Sequence, residues 1–88
     1  MSIFLLAQTS NYNTKKISEK INELFADDFY DLGAGSWLIS ADDTAQGISN
    51  KMGFVDGVLN GAVIVEIASY HGRANPAVWS WIKDKWGG

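Results

Sequence analysis

Two short runs, Ile3-Phe4-Leu5-Leu6 and Ala62-Val63-Ile64-Val65, are apolar at consecutive positions. A strand with one wet face alternates apolar and polar residues, so an uninterrupted run predicts a strand buried on both faces. Strand one is expected over about 2–7 and strand four over about 62–68. Two helices packed on one face of such a sheet leave the other face open. The runs therefore call for a docked tail or a second copy of the chain.

Between the runs, Ile17, Ile21, Leu24 and Phe25 fall at i, i+4, i+7 and i+8, which predicts a helix over 14–26 after a polar loop at 8–13. Lys15, Lys16, Glu19, Lys20 and Glu23 lie off that stripe, and the spacings from Lys15 and Lys16 to Glu19 permit weak helical ion pairs. A hairpin follows, with Phe29-Tyr30-Asp31-Leu32 and Ser36-Trp37-Leu38-Ile39-Ser40 joined by Gly33-Ala34-Gly35. Its simplest register sets Leu32 opposite Ser36, Asp31 opposite Trp37, Tyr30 opposite Leu38 and Phe29 opposite Ile39. A second helix starts at Asp43 or Thr44 and carries Ala45, Ile48 and Met52 on one side. Gly47 and Gly53 each weaken it by about 1 kcal/mol relative to alanine, so it should be short. A glycine-punctuated connection over 53–61 contributes Phe54, Val55, Val58 and Leu59. The order βαββαβ is that of a ferredoxin-like α+β sandwich: a four-stranded antiparallel sheet, two helices on one face, and a short C-terminal helix.

The tail has its own start and stop signals. Asn75-Pro76 reads as an N-cap followed by proline at the first helical position, and Lys83 and Lys85 suit the last turn before Gly87. As a helix over 76–86, it clusters Val78, Trp79, Ile82 and Trp86 while Trp81 points elsewhere. As a strand, it would put Trp79 and Trp81 on one face. The helix is preferred because its two ends agree. A chain this small has little room to bury Trp79, Trp81 and Trp86, which makes them candidate interface residues.

Composition narrows the function classes. Eighty-eight residues make one domain, 1–88, and a hydrophobic content of 47% argues against disorder. The absence of cysteine removes disulfides, thiolate catalysis and thiolate metal sites together. No apolar run nears the ~20 residues of a membrane span, and the first residues carry no basic region of a signal peptide, so a cytoplasmic, membrane-free protein without a cofactor is expected. The net charge of −3 disfavours nucleic acid and favours a protein partner.

Three groups of residues are candidates for chemistry or contact. His71 and Arg73 pair a general base with a phosphate-stabilising cation, as metal-independent RNA cleavage would need. Arg73 alternatively makes a local ion pair with Asp42 or Asp43. Asp27, Asp28, Asp42 and Asp43 gather at the open end of the hairpin, where carboxylates could hold Mg²⁺ or Ca²⁺. Capping and turn roles account for the same residues. Glu66 interrupts an apolar strand, so it lies at an edge or an interface, or has a partner. The 33–35 turn joins two antiparallel strands rather than opening a helix, so it is no phosphate loop.

The segments Gly35 to Ser40 (Gly-Ser-Trp-Leu-Ile-Ser), Asp42 to Ile48, Val63 to Ile67, Gly72-Arg73 and Trp81 to Lys83 resemble small bacterial proteins of the "SinR family". Those look like distant relatives of the CRISPR-associated small ferredoxin-like nucleases and of virulence-associated protein D. The resemblance implies a ferredoxin-like homodimer in a defence or toxin–antitoxin setting. The nuclease relatives place a metal-binding aspartate at the end of strand one, whereas this chain reads Ala7-Gln8-Thr9-Ser10-Asn11. Neutral side chains are poor ligands for Mg²⁺, so a non-catalytic homodimeric adaptor is the expected function. The alternative is an endoribonuclease that uses His71 and Arg73 without a metal.

Overall fold

The computed structural model describes residues 2–10, 13–54 and 61–86. In chain order the elements are β1 (Ser2–Gln8), α1 (Thr14–Leu24), β2 (Phe29–Gly33), β3 (Ser36–Ala41), α2 (Ala45–Met52), β4 (Ala62–Glu66) and α3 (Pro76–Lys85). The four strands form one open antiparallel sheet in the order β2-β3-β1-β4. The fold is a small α+β type, with three helices among the described residues. Val55, Val58 and Leu59 of the expected connection lie outside the described residues, as does Gly87.

β1 is buried on both faces, as its unbroken apolar run predicts. Phe4 and Leu6 point to one side, where they pack with Ile17 and Ile21 of α1, Ile48 and Met52 of α2, and Trp37 and Ile39 of β3. Ile3 points to the other side, where it joins Leu38 of β3 with Val78 and Ile82 of α3. The tail helix thus supplies the second cover that the apolar pattern calls for. Two cores share one sheet, and the alternation of side chains along β1 and β3 sorts residues between them.

The cover is incomplete, and here the structure departs from expectation. Ala62-Val63-Ile64-Val65 is not buried on both sides: Val63 is 50% and Val65 44% exposed. The reason is position. β4 is an edge strand, and α3 lies over β2, β3 and the start of β1, packing with Tyr30, Leu38 and Ile3. Ile64, on the opposite face, packs against the first core.

Local chemistry explains the joints. The hairpin keeps three of the four expected pairs, Phe29 with Ile39, Tyr30 with Leu38 and Asp31 with Trp37. Beyond them the register slips, so Gly33 rather than Leu32 opposes Ser36. The slip leaves a tight turn at Ala34-Gly35 with positive φ at both residues (54° and 80°), the geometry of a primed hairpin turn. α2 is short, as expected. Thr44 caps it by accepting from Gly47 N, and Gly53 closes it in the left-handed region at φ 90°. Gly53 therefore ends the helix instead of weakening its interior. α3 is capped by Asn75, whose side chain accepts from Ala77 N, and Pro76 lies in its first turn.

Candidate functional site

The residues singled out for chemistry do not converge. His71 and Arg73 are both exposed and make no hydrogen bond or ion pair among the described residues. Gly72 between them backs onto the ring of Trp79. The expected pairing of Arg73 with Asp42 or Asp43 does not form. Asp43 instead receives the Thr44 backbone N–H at 2.7 Å and the Lys51 ammonium at 2.7 Å. The Lys51 hydrogen bond, followed by that backbone N–H, holds the Asp43 carboxyl below its ordinary pKa of 3.8. Asp28 meets Lys85 of α3 at 3.2 Å. Asp27 and Asp42 are exposed. Among the described residues, no three His, Asp or Glu side chains are grouped to hold a metal ion.

At the end of β1, where the nuclease relatives would place an aspartate, Gln8 is committed to structure. Its Oε1 accepts from the Thr14 hydroxyl at 3.0 Å, and its Nε2 donates to the Ser10 carbonyl at 2.8 Å. Its backbone N–H donates to Gly35 O at 3.0 Å, so one residue links β1, α1 and the hairpin.

The three tail tryptophans find partners within the chain. Trp79 stacks on Tyr70 with centroids 5.9 Å apart, and Trp86 meets the edge of Tyr70 at 5.1 Å. Trp81 leans on Tyr30 of β2 at 6.2 Å. Val78 and Ile82 enter the core between these two aromatic flanks. Trp86 and Tyr70 keep 39% and 41% of their surface exposed.

Two features went unnoticed in the sequence. One is the uncovered strip beside α3, where Val63 and Val65 project from β4 next to half-buried Leu5 and Ala7 of β1. Glu66 ends that strand; it is exposed and accepts from the Ser2 hydroxyl at 3.3 Å. The other is a cleft of about 640 Å³ between the first two turns of α1 and the β2–β3 hairpin. Trp37 lines it, 2% exposed, and its indole Nε1 has no hydrogen-bond partner among the described residues. The period-two facing of side chains along a strand could have flagged the strip once β4 was placed at an edge. Nothing in the sequence marks an unpaired indole N–H. Among the described residues, no helix is long and apolar enough to cross a membrane. No family model matches the chain, and neither a curated protein nor a solved structure matches it.

Proposed function

We propose that this protein is a non-catalytic interaction module of ferredoxin-like topology that acts as a homodimer joined through β4. The observation that carries this reading is the pair of exposed valines on an unguarded edge strand. The two edges of the sheet differ. β2 carries Asp31, a register slip and Gly33 at its end, devices that discourage pairing with another chain. β4, Ala62-Val63-Ile64-Val65-Glu66, has neither proline, lysine nor a bulge, and among the described residues nothing pairs with its outer edge.

A two-fold axis at Ile64 would pair β4 with its copy in antiparallel fashion. Val63 then sits opposite Val65 of the second copy, and Ala62 opposite Glu66. β-branched cross-strand pairs stabilise such a contact, and this register keeps the two Glu66 carboxylates apart. The net charge of −3 and the neutral end of β1 fit a binding role better than phosphodiester chemistry. A lineage shared with the SinR-like proteins, and a defence or toxin–antitoxin setting, belong to the same proposal and rest on the resemblance alone.

The outward amides of residues 62–66 test it. Their hydrogen exchange should slow as protein concentration rises, because dimerisation buries them. Exchange that is independent of concentration would contradict the β4 contact. The ribonuclease alternative has its own arm: RNA cleavage in EDTA that is lost in His71→Ala would replace the adaptor reading.

A further inference from the structure

The cleft between α1 and the hairpin is open to solvent, and most of the residues that line it are exposed. Its volume of about 640 Å³ falls within the range of small-molecule pockets. Trp37 lines it, and the Trp37 Nε1 is a buried donor without an acceptor. A buried polar group left unpaired is destabilising, so an acceptor that reaches it is favoured. Three charged side chains line the same space: Lys15 and Glu19 from α1, and Asp31 from β2.

These charges are not spent on one another. Lys15 and Glu19 stand at i, i+4, yet the ion pair that α1 forms is Lys20 with Glu23. Neither Lys15 nor Asp31 has an ion-pair partner among the described residues. Asp31 is also held in place, since its Oδ1 accepts the Gly33 N–H at 2.7 Å. The lining therefore offers one cation beside two carboxylates, with the unpaired indole N–H of Trp37 buried next to them. A phosphate would be repelled by Glu19 and Asp31, and a simple cation would leave the indole N–H unpaired.

We propose that this cleft binds a small zwitterion of free amino-acid type. Its carboxylate accepts from Trp37 Nε1 and pairs with Lys15 near the positive end of α1. Its ammonium faces Asp31 and Glu19. The site is separate from the β4 edge and does not depend on the dimer.

The test follows the Trp37 indole N–H resonance in ¹⁵N-labelled protein, assigned with Trp37→Phe, during titration with L-amino acids, acetate and methylammonium. A saturable shift with at least one amino acid, and a much weaker response to acetate or methylammonium, is expected. Lys15→Ala and Asp31→Asn should each raise the dissociation constant roughly tenfold, about 1.4 kcal/mol, without altering the fold. Both residues are exposed, so these variants read binding even if Trp37→Phe fails to fold. Saturation by acetate alone would reduce the site to a carboxylate pocket and overturn the zwitterion. An indole resonance unmoved by every amino acid would overturn the site altogether.

Discussion

The ring of Trp81 lies 6.2 Å from that of Tyr30, tilted by 52°, and through this contact the last helix grips the edge of the sheet at β2. Beside it, Ile82 is 4% exposed in the second core. α3 is thus part of the folded domain and not a free arm. Ile82→Ala should cost about 2–5 kcal/mol, and half-buried Trp81→Ala somewhat less than the 3–5 kcal/mol typical of a fully buried tryptophan. Urea unfolding measures both. A double-mutant cycle between Tyr30 and Trp81 should return a coupling of about 0.5–1.5 kcal/mol. If Trp81→Ala left stability unchanged, α3 would not be docked as described.

The Asp43–Lys51 contact makes stability depend on pH in a stated direction. The folded-state pKa of Asp43 lies below its ordinary value, so its contribution is present at neutral pH and fades as pH falls through and below 3.8. Asp43→Asn should lower the melting temperature at pH 7 and converge with the unmodified protein in acid. Thermal melts from pH 7 down to about 2.5 follow the two curves. Parallel curves would assign Asp43 no titrating role.

Gly47 gives a related prediction of opposite sign to the usual rule. A glycine inside a helix normally gains about 1 kcal/mol on replacement by alanine. Here a Cβ at residue 47 would meet the Asp43 carboxylate, which is held by Thr44 and Lys51. Gly47→Ala alone should therefore lower the melting temperature. Combined with Asp43→Gly, which clears the space, it should recover part of the helical gain. The difference between the two melts reads the clash directly.

Ala34 carries the remaining backbone strain. It is the one non-glycine residue with positive φ among the described residues, at 54°. That conformation costs an alanine about 1–2 kcal/mol, offset in part by the greater freedom of glycine in the unfolded chain. Ala34→Gly should stabilise the protein by about 0.5–1 kcal/mol in denaturant melts. A loss of stability would contradict the turn geometry.

Much of this architecture was legible in the order of apolar residues. Ile17, Ile21 and Phe25 placed α1 on the sheet, and Asn75-Pro76 marked the start of α3. Three hairpin pairs followed from the Gly33-Ala34-Gly35 turn, while the slip at Leu32 did not, because register near a turn depends on local φ values that composition does not reveal. The double burial of Ile3 to Leu6 demanded a cover for the second face, and α3 provides it. How far that cover extends depends on where the helix crosses, so the apolar run itself does not reveal the exposure of Val63 and Val65. The candidate cleft was illegible for a similar reason. Thr14, Lys15, Asp31 and Trp37 are scattered in sequence, and the unpaired Trp37 N–H appears only once α1 and the hairpin are placed together.

Light scattering on the purified chain over a range of concentrations reads the β4 contact, with Val63→Lys and Val65→Lys variants beside it. The β4 homodimer predicts a mass of twice 9.6 kDa at high micromolar concentration. Each lysine variant should be a monomer with an unchanged circular dichroism spectrum, since both valines already face solvent in the single chain. A monomer at every concentration, or lysine variants that remain dimeric, would rule out the β4 homodimer.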